Sequence, residues 1–91
     1  MKSSVRIRVK GRVQGVGYRW FAVNAASEFG INGYVQNLFN GDVEVYAEGD
    51  DSQLLLFINK LREGPPFSNV TDIITDYGGF MDHFKEFKVK Y

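Results

Sequence analysis

Residues 11–20, GRVQGVGYRW, combine three glycines with two arginines, Arg12 and Arg19. Glycine clusters mark backbone that must take unusual dihedral angles or approach another group closely. Here the cluster ends at Tyr18 and Arg19, where a helix can begin, so the free N–H donors of its first turn would lie beside a permanently charged guanidinium. This combination favours an oxyanion ligand, and we expect a phosphate.

The spacing of these glycines argues against the common nucleotide-binding loops. The stretch lacks the Gly-Lys-Ser/Thr ending of a P-loop. It also lacks the last glycine of the dinucleotide fingerprint Gly-x-Gly-x-x-Gly. ATP and NAD are therefore not the expected ligands, and the sequence predicts no cofactor.

The composition predicts one small domain, residues 1–91, that folds without disulfides. Apolar residues make up 44% of the chain and aromatic residues 15%, which is enough for one hydrophobic core. The absence of cysteine excludes thiolate catalysis, zinc-thiolate sites and iron–sulfur clusters. The densest apolar run, residues 54–58, is too short for a signal peptide or a membrane span, so we expect a cytoplasmic protein with no membrane partner.

Eleven basic residues balance eleven acidic ones, which argues against nucleic acid or an anionic membrane as a partner and favours a monomer. The charges are nevertheless patterned. Basic side chains alternate with valine and isoleucine over residues 5–13, and acidic or polar ones alternate with apolar ones over residues 43–49. If these segments are neighbouring strands, opposite charges face each other across a solvated sheet face.

The hydrophobic periodicity predicts the order strand, helix, strand, strand, helix, strand, with a short extra strand at the end. Strands are predicted over residues 5–13, 33–38, 42–49, 70–77 and 84–89. The first helix follows the glycines and ends at Gly30, and the second begins at Asp50 or Asp51 and ends before residues 64–66. This order is typical of the α+β ferredoxin-like βαββαβ sandwich, with two helices on one face of a mostly antiparallel sheet and water on the other.

This topology brings Asn37 to the glycine-rich stretch. The crossover through the first helix makes the first two strands parallel, so their carboxyl ends meet at the same edge of the sheet. The amide of Asn37 can therefore reach the same pocket as Arg19. Asn37 is equally well explained as a turn former, because Asn-Phe-Asn-Gly is good turn chemistry without any ligand.

Residues 11–19 resemble the signature of the acylphosphatases, Gly-x-Val-Gln-Gly-Val-x-aromatic-Arg. A second signature of that family, Gly-aromatic-Val-x-Asn followed by a turn and a strand ending in Glu-Gly, is matched by residues 33–37, 40–41 and 43–49. The similarity runs over essentially the whole chain and includes Gly64-Pro65-Pro66 and the aromatic residues Phe84, Phe87 and Tyr91. Two separated signatures with the correct spacing make this a specific resemblance.

The resemblance implies hydrolysis of the carboxyl–phosphate bond in small acyl phosphates, without a metal and without a covalent enzyme intermediate. Arg19 would hold the phosphoryl group, and Asn37 would position the attacking water. Inorganic phosphate would be the product and a competitive inhibitor. The phosphate oxygens would be bound by the backbone N–H groups of Gly15, Val16, Gly17, Tyr18 and Arg19.

Other polar and aromatic residues have simpler explanations than catalysis. His83 is the only histidine, and no second histidine or thiol accompanies it as a metal ligand, so we expect a solvated loop residue. Asp50 and Asp51 are interpreted as a helix cap rather than an acid–base pair. An acyl group with a ring could lean on Trp20 or Tyr18.

Three other functions are compatible with the predicted fold. An RNA-binding module would need aromatic residues on a central strand, where this chain has two glutamates and only Tyr46. A metal-delivery module would need Cys-x-x-Cys. An anion-binding or regulatory domain without turnover would need Arg19 but has no evident use for Asn37, so the presence of both residues favours the enzyme.

Overall fold

A computed structural model describes residues 1–91 as an open five-stranded sheet covered on one face by two helices. The predicted order of elements is confirmed. In chain order these are β1 (Lys2–Arg12), α1 (Tyr18–Phe29), β2 (Asn32–Asn37), β3 (Val43–Asp50), α2 (Asp51–Glu63), β4 (Asn69–Gly79) and β5 (Phe87–Lys90). Neither helix is long and apolar enough to cross a membrane.

The strand order β4-β1-β3-β2-β5 determines where the functional residues meet. β3 lies between β1 and β2 and is antiparallel to both, so β1 and β2 run parallel to each other, as the crossover predicted. Two segments therefore leave the sheet at the same edge. They are the glycine loop (residues 13–17), which connects β1 to α1, and the hairpin turn (residues 38–42), which connects β2 to β3.

The core lies between the sheet and the helices. Alternate residues of β1 are buried, and so are four apolar residues on one face of α2, Leu54, Phe57, Ile58 and Leu61. Burying one such large side chain stabilises the fold by about 1.5–3 kcal/mol. α1 instead buries three alanines, Ala22, Ala25 and Ala26, and ends at Gly30, whose left-handed backbone (φ 66°) is the predicted C-cap.

Opposite charges pair across β1 and β3 on the other face of the sheet, as predicted. Arg6 lies 3.7 Å from Glu44. Oδ2 of the buried Asp42 accepts hydrogen bonds from Lys10 at 2.9 Å and from Arg8 at 3.4 Å. The bond from Lys10 is the main reason that the pKa of Asp42 lies below its ordinary value, against the opposing effect of desolvation.

This second face is not solvated throughout, so the prediction for it is wrong at Glu48. Only 2% of Glu48 is exposed, because residues 80–84 cross the sheet above it. Its carboxylate accepts hydrogen bonds from the hydroxyl of Tyr46 at 2.9 Å and from the backbone N–H of His83 at 3.2 Å. The side chain of His83 is itself exposed, as predicted.

Asp50 occupies the N-cap position of α2, but its side chain makes no capping hydrogen bond. It lies instead 4.0 Å from the amino group of Met1. The predicted boundary is therefore correct and the predicted capping contact is absent.

Candidate active site

A cavity of about 220 Å³ opens at the edge where the glycine loop leaves the sheet. It contains both side chains predicted to act on a phosphoryl group, Arg19 at the start of α1 and Asn37 at the end of β2. Its other lining residues are Val13, Gly15, Gly17, Tyr18, Trp20, Val89 and Tyr91. Val16 is the one predicted site residue that does not line it, because its side chain packs against the core.

The glycine loop presents unpaired donors to this cavity. Gly15 and Gly17 have left-handed backbones, with φ angles of 73° and 81°, a conformation that favours glycine. Close packing is not the reason for glycine here, because a Cβ at either position would meet no neighbour within 4 Å. The backbone N–H groups of residues 15–20 donate to no carbonyl or side-chain acceptor of the protein. Gly17 is the N-cap of α1, no side chain caps the helix, and no acidic residue lies in its first turn. The positive end of the helix dipole is thus free to bind an anion.

The positive charge of Arg19 is not neutralised by the protein. No carboxylate lies within ion-pair distance of its guanidinium, whereas Arg6, Arg8 and Lys10 all have acidic partners. The guanidinium packs against the ring of Tyr91, which also lines the cavity. Its charge and its five N–H donors remain available to an oxyanion.

Asn37 contributes an acceptor with no partner. Its Oδ1 is buried and makes no hydrogen bond within the protein. Leaving such an atom unpaired costs about 1–3 kcal/mol, which is typical of a position that receives a polar ligand or a water.

The turn-forming explanation of Asn37 is not supported by these contacts. The hairpin turn is closed by the N–H of Leu38, which donates to the carbonyl of Asp42 at 2.9 Å. Its side-chain contact comes from Asn40, whose Oδ1 accepts the N–H of Asp42 at 3.0 Å. The side chain of Asn37 takes no part in the turn.

Tyr18 cannot offer its ring to an acyl group, so that part of the prediction is wrong. It is 1% exposed, and its hydroxyl donates to the carbonyl of Leu61 in α2 at 2.7 Å. This burial raises the pKa of Tyr18 far above its ordinary value, so the phenol stays neutral. Trp20 is the alternative that remains, because it lines the cavity and is 67% exposed.

Gln14 lies within the glycine-rich signature, but no role for it was predicted from the sequence. Its Nε2 donates to the carbonyl of Leu38 at 2.7 Å and to the carbonyl of Asp42 at 2.8 Å. The glycine loop is thereby joined to the hairpin turn. Nothing in the local spacing of residues could have revealed these bonds, because the partners are 24 and 28 positions away.

A second and larger groove, of about 590 Å³, adjoins the cavity. The two share Arg19, Asn37 and Tyr91, so they are continuous around these side chains. The groove is otherwise lined by Gln14, Gln36, Leu38, Phe39 and Lys90. The ring of Phe39 is fully exposed at its rim.

No three His, Cys, Asp or Glu side chains lie close enough together to hold a metal ion. The single histidine lies near Glu48 on the other face of the sheet and does not line the cavity. The lining of the cavity includes instead backbone amides of the glycine loop, the guanidinium of Arg19 and the carboxamide of Asn37.

The fold and the cavity define a ferredoxin-like α+β sandwich in which a helix N-terminus, an arginine and an asparagine meet at one edge of the sheet. The chain belongs to the acylphosphatase family, whose family model matches residues 5–89. Members of this family are hydrolases.

Individual acylphosphatases align with nearly the whole chain. An acylphosphatase of Dehalococcoides mccartyi is 44% identical over 88 residues, with 96% of this chain and 97% of the relative covered. An acylphosphatase of Thermotoga maritima is 39% identical, with 97% of each chain covered. The crystal structure of acylphosphatase from Bacillus subtilis superposes with a TM-score of 0.95 at 38% identity and covers 100% of both chains.

Proposed function

We propose that this protein hydrolyses the carboxyl–phosphate bond of small acyl phosphates by direct in-line attack of water. The observation that carries the proposal is the meeting, in one small cavity, of the unneutralised guanidinium of Arg19 and the unpaired Oδ1 of Asn37. One group suits a phosphoryl dianion and the other suits a water. A site that only bound anions would have no use for the second.

The phosphoryl group lies in the cavity, against the free N–H groups of the glycine loop and of the first turn of α1, including those of residues 15–19. The guanidinium of Arg19, which packs against the ring of Tyr91, binds the phosphoryl oxygens. Phosphoryl transfer requires little covalent chemistry from a protein, so positioning and stabilisation of the equatorial oxygens supply most of the catalysis.

Asn37 orients the nucleophile. Its Oδ1 accepts one O–H of the water, which turns an oxygen lone pair toward phosphorus. A carboxamide cannot act as a base near neutral pH, so its role is to hold the water in line. A bond forms between the water oxygen and phosphorus, and the bond from phosphorus to the acyl oxygen breaks.

The electron pair of the broken bond leaves with the carboxylate, which is a good leaving group and needs no acid. Both water hydrogens stay with the phosphoryl product, which is released as dihydrogen phosphate and then equilibrates with solvent. No side chain changes its protonation state, so we expect kcat to show no enzyme base that titrates near neutral pH.

The acyl group extends from the cavity into the adjoining groove, past Leu38 and the exposed ring of Phe39. The continuity of the two spaces around Arg19 and Asn37 supports this direction. Inorganic phosphate, the product, competes for the same donors and is therefore an inhibitor.

The test is steady-state hydrolysis of benzoyl phosphate in chelator-treated buffer by wild type, Arg19→Ala and Asn37→Ala. Matched controls are Arg12→Ala, which removes a charge just before the glycine loop, and Asn24→Ala, which removes an exposed amide from α1. Circular dichroism verifies folding, and calorimetry measures phosphate binding.

We expect Asn37→Ala to bind phosphate normally and to lose about 100-fold or more in kcat, because a reacting group that is displaced by about 1 Å costs about that factor. Arg19→Ala loses both binding and turnover, and both controls keep both. A folded wild type that binds phosphate without turnover above the uncatalysed rate would make the chain an anion-binding domain and refute the proposal.

A further inference from the structure

Gln14 is the one side chain that connects the glycine loop to the segment that carries Asn37 by hydrogen bonds. Building on the proposed function, we infer that Gln14 is a positioning residue. It holds Asn37, and hence the attacking water, at the distance from the bound phosphoryl group that in-line attack requires.

Both donors of the Gln14 carboxamide are used for this connection. One goes to the carbonyl of Leu38, the residue after Asn37, and the other to the carbonyl of Asp42. These same two carbonyls accept the backbone bonds that close the hairpin turn, from Gly41 at 3.2 Å and from Leu38 at 2.9 Å. Gln14 therefore binds both acceptors that define the shape of the turn, one of them directly beside Asn37.

Strand pairing fixes only one end of this distance, because Asn37 is the last paired residue of β2, whereas the glycine loop begins after β1 has ended. β3 separates β1 from β2, and its pairing with both ends at Val43, opposite Val9 on one side and Asn37 on the other. Beyond that point the glycine loop and the hairpin turn leave the sheet with no backbone hydrogen bond between them. The two bonds from Gln14 are thus the only hydrogen bonds that join the glycine loop to the hairpin turn, which begins directly after Asn37.

The remaining side-chain contacts of the hairpin turn come from elsewhere. Lys10 and Arg8 bind the carboxylate of Asp42 from β1, and Asn40 bonds to Asp42 within the turn. These contacts stabilise the turn but do not reach the glycine loop. Asn40 is therefore a matched control, because its loss loosens the same turn and leaves the connection to the loop intact.

The test compares wild type, Gln14→Met and Asn40→Ala. Methionine has a similar length but no N–H donor. For each protein, kcat and KM for benzoyl phosphate, the Kd of inorganic phosphate and the free energy of unfolding are measured. The side-chain amide signals of Asn37, assigned by comparison with Asn37→Ala, are followed by NMR.

We expect Gln14→Met to lower kcat by about 10- to 100-fold, because a displacement of the order of 1 Å at a reacting group costs about that much. The Kd of phosphate should stay within about twofold, because the N–H donors and Arg19 are untouched. The Asn37 signals should shift. Asn40→Ala should lower stability and leave kcat and the Asn37 signals near those of wild type.

The inference is overturned if folded Gln14→Met keeps the wild-type kcat, or if kcat and phosphate affinity fall together. Gln14→Leu is the second variant should Gln14→Met not fold, because it also removes both N–H donors and adds no charge beside the phosphate site. The same loss of kcat at unchanged phosphate affinity is expected. An inactive wild type would refute the proposed function, whereas an active wild type with an equally active Gln14 variant would refute this inference alone.

Discussion

The guanidinium carbon of Arg19 lies 5.2 Å from the centroid of the Tyr91 ring. The ring supports the guanidinium without supplying a negative charge, so it can restrict the side chain while leaving its hydrogen-bond donors free. A carboxylate in the same place would hold the arginine more strongly but would compete with the phosphoryl group. An aromatic neighbour suits an arginine that must bind an anion.

Tyr91→Ala should weaken phosphate binding by about two- to fivefold, because an exposed cation–π contact contributes about 0.5–1 kcal/mol. Tyr91→Phe keeps the ring and should bind phosphate as wild type does. Competitive inhibition by inorganic phosphate measures both. Equal losses in the two variants would assign the effect to the hydroxyl instead of the ring.

Phe39→Ala should raise KM for benzoyl phosphate several-fold and leave KM for acetyl phosphate unchanged. The exposed ring lies at the rim of the groove, where it can contact an aromatic acyl group but not a methyl group close to the phosphoryl cavity. The ratio of kcat/KM for the two substrates measures the effect. A parallel change for both substrates would show that the acyl group does not extend along this rim.

Asp42→Asn should destabilise the protein at neutral pH and much less in acid. The bond from Lys10 lowers the pKa of Asp42 in the folded state. The resulting stabilisation is present above the ordinary aspartate pKa of about 3.9 and is lost as pH falls through the lowered folded-state value. Urea unfolding of wild type and variant across this range measures the difference. Glu28→Gln, at an exposed position of α1, is the control for the removal of one negative charge.

Tyr18→Phe should cost about 1–2 kcal/mol of unfolding free energy, because the buried bond to the carbonyl of Leu61 is lost. The ring still fills its place in the core, so kcat should stay within about twofold. Denaturant unfolding and steady-state kinetics test the two statements. A large loss of kcat at unchanged stability would place the hydroxyl in the chemistry.

The sequence was sufficient to predict the meeting of Arg19 and Asn37, because the handedness and direction of a strand-helix-strand crossover follow general rules. Boundaries were less accurate at both ends of the chain, since the first strand was predicted to begin at Val5 but begins at Lys2. The last strand was predicted to begin at Phe84 but begins at Phe87. The ring of Phe84 packs on Tyr34 and Tyr46 above the open face, so its backbone lies outside the pairing with β2.

The missed features all depend on contacts between segments that are distant in sequence. Periodicity placed Glu48 correctly on the outward face, but a later segment covers that face at this point. Tyr18 was assigned to the site by its position beside Arg19, whereas its orientation is decided by a carbonyl 43 positions away. Gln14 acts through the same kind of long-range bond.

The interior position of β1, between β4 and β3, also affects when the site can form during folding. Ser3 pairs with Gly49 on one side and with Gly79 on the other, so β1 is completed only after long segments of chain have been closed. The chain loses conformational entropy in these closures before it forms the contacts that offset the loss. Such sheets therefore fold slowly. We therefore expect a growing or partly folded chain to lack the pocket, so that the proposed phosphate ligand would bind and stabilise the fully folded protein alone.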